Sequence, residues 1–275
     1  MSDLAPPRVI LHPGFHKTGT STLQRYLTSN RWRFLEHAQV FAKANFIDAG
    51  DLATAYGLQP GRQRLLQFQA ALSAFLADIP DHKLTIISCE GFSGVMPGLR
   101  RPVTGTVRNF HRAAIPLARV IDAELRRRFG ADLDLCFFYT LRGHESWIKS
   151  VYGHLLHAIR LTQDFESFRA GFRNLIHLDQ QAEKIAASLP NIRLETAWLE
   201  DQVGRHEGPA AALLDLIELP QEVRKNLPAP SLRNSGFPPE LQGEFLALNR
   251  RIKDRAELKA RKRHLAAEHR GELAS

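Results

Sequence analysis

The stretch from Arg8 to Asn30, RVILHPGFHKTGTSTLQRYLTSN, constrains the chain more than any other. Its first five residues, Arg8–His12, form a short apolar run of the kind that becomes a buried strand. A turn follows, and then a segment in which Leu23, Tyr26 and Leu27 recur at helical spacing behind Thr and Ser residues suited to cap a helix. In a strand–turn–helix unit the free N–H groups of the first helical turn point at an anion beyond the strand's end. Gly14 and Gly19 allow the tight turn, Lys17 adds a point charge, and Thr18, Thr20, Ser21 and Thr22 add hydroxyl donors. A phosphate or sulfate group suits such a ring of donors.

Further along, strand-like and helix-like segments alternate. An amphipathic pattern covers 62–78, and Leu84–Ser88 reads as a second buried strand. Helix 111–129, strand 133–141 and helix 144–159 follow, then strand 191–196 and helix 209–218. Residues 91–109 show little periodicity. This order predicts an α/β fold, a three-layer arrangement with a parallel sheet and helices on both faces. Ligands in such sheets bind beyond the carboxyl ends of the strands, where the residues of interest fall. A single domain is expected, with its core at about 8–245 and a charged helical segment at 246–275.

The loop does not fit an ATP-dependent kinase or NTPase, whose signature is G-x-x-x-x-G-K-[ST]. Gly14 and Gly19 have the right separation, but Thr20 stands where the lysine belongs and Lys17 precedes the second glycine. No aspartate closes the second strand to hold magnesium, since LTIIS runs into Cys89 and Glu90. The order Lys17-Thr18-Gly19-Thr20-Ser21 instead resembles the 5′-phosphosulfate loop of sulfotransferases that use 3′-phosphoadenosine 5′-phosphosulfate (PAPS). A second motif of that family, R-x-P-x-x-x-x-x-S-x-Y, is matched by Arg142, Ser150 and Tyr152, with His144 in place of the proline. An arginine at a strand's end can fork onto a phosphate, and a serine two turns into the next helix can donate a hydroxyl.

This resemblance implies a sulfotransferase domain that binds PAPS, releases PAP, and needs no metal. It implies that Lys17, Thr18, Gly19, Thr20, Ser21 and Thr22 hold the phosphosulfate and that Arg142 and Ser150 hold the 3′-phosphate. Arg233 and Asn234, in a proline-flanked loop, match a region where the family adds further 3′-phosphate contacts. Glu90, just past the second strand, is the expected general base, with His16 as the second candidate and a simple loop cap as the other role open to Glu90. Arg100, Arg101 and Arg108 suit an acidic or carbohydrate acceptor.

The formal net charge of +8 attracts anions of many kinds and selects none of them. Cys89 and Cys136 lie in apolar runs and make no disulfide framework. The N-terminus does not read as a signal peptide, and no apolar run approaches the roughly 20 residues of a membrane span, so a cytoplasmic protein is expected. The basic stretch 249–270 reads as a solvated helix without the aromatic residues of a nucleic-acid site, and no nucleic-acid partner is expected. Two other functions stay open: a small-molecule kinase with an atypical loop, and a non-catalytic nucleotide- or nucleic-acid-binding protein.

Overall fold

The computed structural model describes residues 6–101, 105–230 and 236–271. The strands are β1 (Arg8–His12), β2 (Gln39–Ala42), β3 (Leu84–Ser88), β4 (Arg100–Arg101), β5 (Gly105–Thr106), β6 (Asp134–Leu141) and β7 (Arg193–Trp198). The α-helices are α1 (Thr20–Asn30), α2 (Ile47–Leu58), α3 (Arg62–Ala77), α4 (His111–Phe129), α5 (His144–Ala158), α6 (Phe165–Ala170), α7 (Leu178–Ala187), α8 (Ala211–Ile217), α9 (Gln221–Lys225), α10 (Pro239–Arg251) and α11 (Arg255–His269). Contacts divide the chain into two compact units, Met1–Gly143 with Ile176–Leu232, and His144–Leu175 with Arg233–Ser275.

The first unit holds a five-stranded sheet in the order β2-β3-β1-β6-β7, parallel at every pairing. Ile10, Ile86, Cys136 and Phe138 share one face and pack with Leu23, Tyr26 and Leu27 of α1 and Leu213, Leu214 and Ile217 of α8. Val9, Leu11, Ile87, Phe137 and Tyr139 alternate with them and are equally buried. On that side α4 packs against α7, which in turn meets β6 and β7. Strands buried on both faces read as continuous apolar runs, which is why RVILH and LTIIS were legible. The fold is α/β, as the sequence predicts.

The chain leaves β1 for β2 and β3 on one side and reaches β6 and β7 on the other. Such a reversal opens a crevice beyond the carboxyl ends of β1 and β6. β4 and β5 form a separate two-residue antiparallel pair within the stretch that lacked periodicity.

Several elements escape the sequence pattern, among them β2, α2, α6, α7 and α9. α2 contains Gly50 and Gly57, which lower helix propensity. Their use is close approach: a Cβ on Gly57 would come within 2.5 Å of the Val95 amide nitrogen. β7 begins two residues later than 191–196 suggests, and α8 is preceded by a 3₁₀ turn at Gly208–Ala210.

The second unit contains α5, α6, α10 and α11. The run expected to be one solvated helix is the end of α10, a break, and α11, whose first turn is capped by Asp254 accepting from the Glu257 amide at 2.7 Å. Lys262 of α11 is only 3% exposed. Its ammonium donates to the carbonyls of Leu156 and Ile159, both at 2.8 Å, and to Asn249 Oδ1 at 2.9 Å. It therefore satisfies carbonyls left open where α5 ends. Asn249 itself donates to the carbonyls of Leu156 and Leu161. Leu258 of α11 joins Leu248 and Ile252 in a small apolar cluster. The basic helix is thus anchored within its unit, which the charge pattern alone did not reveal. Among the described residues no helix is long and apolar enough to cross a membrane.

Candidate active site

Between β1 and α1 the backbone turns through three left-handed residues, Gly14 (φ 57), Lys17 (φ 72) and Gly19 (φ 91). Both glycines are required. A Cβ on Gly14 would lie 2.6 Å from Thr20 Cγ2, and one on Gly19 would lie 2.8 Å from Leu199 Cδ1. Lys17 is not a glycine, so its conformation is held against its own preference by the surrounding contacts. Phe15 anchors the loop from below, its ring 4.8 Å from that of Phe110 and 4.7 Å from that of Tyr139. The expected Thr/Ser cap is not formed. Gly19 is the N-cap residue of α1 and no side chain bonds the first turn. A glycine cap brings no side chain of its own against the first-turn amides, which suits them to an external anion.

Lys17 is half-buried, and its ammonium has no hydrogen-bond or ion-pair partner among the described residues. Burial, and then the Arg142 guanidinium, pull its pKa below the ordinary lysine value. Arg142 follows β6 and donates from Nη1 to the Lys17 carbonyl at 3.2 Å. Burial lowers its pKa as well, with Glu200 opposing. Glu200 accepts from the Gly143 amide at 3.0 Å. Two cations from the ends of adjacent strands therefore meet at the start of α1.

Around them, Thr20 is buried, Ser21 exposed, and Gly19 and Thr22 intermediate. The Thr18 hydroxyl turns inward, donating to the Phe15 carbonyl at 2.7 Å, with Thr140 Oγ1 also 2.7 Å away. What Thr18 can offer an anion is its main-chain amide.

Glu90 opens the 3₁₀ turn after β3, its side chain 14% exposed. Its Oε2 accepts from Gln24 Nε2 at 2.8 Å, and Lys43 Nζ lies 3.4 Å from Oε1. Burial pushes the Glu90 carboxyl up, but the Gln24 amide, the local backbone, His16 and Lys43 together hold its pKa below the ordinary value. The carboxylate is therefore ionised at neutral pH and can accept a proton. His16 pairs through Nε2 with the Gly94 carbonyl at 3.1 Å and stacks on Phe110. Burial lowers its pKa, so the imidazole is neutral near pH 7 and can also accept a proton. Sequence reasoning missed both partners: Lys43 because β2, whose end places it, carried no pattern, and Gln24 because nothing on α1 marks it as a partner of a residue 66 positions away.

Beside α1 lies a cleft of about 270 Å³ lined by Thr22, Arg25, Tyr26, Trp32, Arg33 and Pro228–Pro230, among others. Thr22 belongs both to the loop and to this cleft. Trp32 is 65% exposed, with the Arg33 guanidinium 4.2 Å from its ring centroid. No motif marked these residues.

Ser150 lies half-buried on α5 in the second unit. Tyr152 is buried there, its hydroxyl donating to the Gln163 carbonyl at 3.1 Å and its ring against Phe165 and Phe168. That part of the motif packs the unit. α5 starts at His144, where the family's proline would begin the helix. Arg233 and Asn234 lie outside the described residues. Arg101 donates to the Gly57 carbonyl at 3.2 Å, whereas Arg100 and Arg108 are exposed.

No family model and no curated protein sequence matches this chain. A solved structure described as retinol dehydratase in complex with androsterone and inactive cofactor PAP is similar at 14% identity with a TM-score of 0.38. The match covers 82% of this chain and 64% of that one, so this chain spans somewhat less than two thirds of its length.

Proposed function

We propose that this protein transfers a sulfuryl group from PAPS to an acceptor hydroxyl or amine, with a saccharide or small molecule as the expected acceptor. The observation that carries the proposal is the Lys17 ammonium, without an acceptor among the described residues, beside Arg142 at a glycine-capped helix start. A desolvated ammonium with no internal anion, next to a second cation, favours a ligand with several negative charges. The loop order Lys17–Ser21 selects among such ligands, since it is the order of the PAPS enzymes and not that of ATP enzymes.

The phosphosulfate rests on Lys17 and the amides of Thr18–Thr22, and the adenine ring is assigned to the Thr22-lined cleft. Arg142 and Ser150 keep the 3′-phosphate role that their motif implies, as do Arg233 and Asn234. The acceptor oxygen or nitrogen forms a bond to sulfur as the bond from sulfur to the 5′-phosphate oxygen breaks. The electron pair leaves with PAP, where Lys17 and the helix start meet the growing charge. The acceptor's proton passes to Glu90, or to His16 if Glu90 only orders the site.

The test is ligand choice. PAP without added metal should raise the melting temperature, because a ligand that binds only the folded state stabilises it by mass action. Stabilisation by ATP–magnesium but not by PAP would refute the proposal in favour of a kinase.

A further inference from the structure

His12 ends β1, fully buried beneath the loop, and the proposed chemistry does not use it. Its Nδ1 lies 2.7 Å from Ser88 Oγ on β3 and its Nε2 3.4 Å from Thr140 Oγ1 on β6. Thr140 in turn contacts Thr18, whose hydroxyl donates to the Phe15 carbonyl. All four side chains are buried. They run in one line from the edge of β3 to the turn that holds Lys17.

Counting protons gives that line a direction. A threonine hydroxyl has one hydrogen. Thr18 gives its hydrogen to Phe15, so Thr140 must donate to Thr18. Thr140 then has none left for His12, and the ring must donate to it from Nε2. A neutral imidazole donates from one nitrogen only, so Nδ1 accepts from the Ser88 hydroxyl. Burial keeps the ring neutral by lowering its pKa to about 4, against the opposing charge of Glu90. The ring also packs under the loop's first glycine, where an added Cβ would lie 3.1 Å from His12 Nε2.

We propose that His12 is a positioning residue, held as the Nε2–H tautomer, that sets the phosphate loop through Thr140 and Thr18. Its effect on nucleotide affinity rests on the proposed PAPS site, whereas its tautomer does not. The two are measured separately. Nitrogen-15 NMR of the histidines in the full chain at pH 7 should show His12 neutral and protonated at Nε2. An Nδ1–H tautomer or an imidazolium would overturn the hydrogen-bond line. Thr140→Val keeps the shape and removes both the donor and the acceptor, so PAP should bind about tenfold more weakly, the usual worth of one buried hydrogen bond. Thr140→Ser restores the hydroxyl and should recover wild-type affinity. Equal PAP affinity in wild type and Thr140→Val, or equal losses in the Val and Ser variants, would overturn the positioning role. A wild-type chain that ignores PAP would overturn the nucleotide site and the affinity effect with it, leaving the tautomer to judge the line itself.

Discussion

Lys17 and Lys262 are both withdrawn from water, and they are treated in opposite ways. Lys262 has three oxygen acceptors within 2.9 Å, all neutral, and thereby closes the end of α5. Lys17 has none among the described residues, and its nearest named charge is another cation, Arg142. A buried ammonium with its hydrogen bonds complete is part of the fold, whereas one left without an acceptor disfavours its own burial until an anion arrives. The contrast separates a structural lysine from a candidate binding lysine without reference to sequence motifs.

The contrast can be sharpened or broken, and the largest effect is expected at the carboxylate proposed as the base, Glu90. Glu90→Gln keeps the shape and a carbonyl but cannot take the acceptor's proton, so turnover should fall about 10²–10⁴-fold with PAP affinity near wild type. Full activity in that variant would pass the role to His16. The acid limb of the pH profile distinguishes the same two bases. With Glu90 as base, activity persists below the ordinary glutamate pKa, because its own is depressed. With His16 as base, the limb lies below the ordinary histidine value because burial depresses that pKa, and it should vanish in His16→Asn rather than in Glu90→Gln.

Next in size is Lys17→Ala, for which a loss of about 10²-fold or more in turnover is expected, together with weaker PAP binding. Removing a half-buried cation that has no acceptor among the described residues should leave stability unchanged or improved, measured by denaturant unfolding. Lys262→Met should do the reverse. It takes the ammonium donor from Asn249 Oδ1 and one of two donors from each of the Leu156 and Ile159 carbonyls, and should cost about 1–3 kcal/mol of stability without altering PAP affinity in the folded protein. If Lys262→Met left stability intact while Lys17→Ala destabilised the chain, the distinction between the two lysines would be wrong.

A further effect is a pH dependence of stability from His12. Its folded-state pKa is about 4, against 6.5 for the free side chain. The unfolded chain therefore takes up a proton in a range where the native chain does not, and stability should decline as pH falls from about 6.5 towards 4. Replacing His12 by Gln should remove that part of the slope, as read from urea unfolding at several pH values.

Much of this was legible in the order of residues. The strands β1, β3 and β6 announced themselves because a strand buried on both faces has to be largely apolar. The loop was legible because a tight turn onto a helix start leaves few choices besides glycine, and Gly14 and Gly19 stand at the two tightest points. By contrast, α2 was hidden by the glycines that let it pack against the turn carrying Glu90. Lys43 and Gln24 are separated from Glu90 by 47 and 66 residues, and nothing local marks them as its partners.

By itself, then, the sequence determined the alternation of strands and helices, the glycine turn, and the presence of Lys17 and Arg142 at strand ends, because each follows from local conformational limits or from burial. The tertiary structure alone decided which polar groups are paired. Only in three dimensions does Thr18 turn inward towards Thr140, Lys262 find three acceptors, and Lys17 find none among the described residues. Pairing depends on distances of about 3 Å between residues far apart in the chain, and no local rule contains those distances.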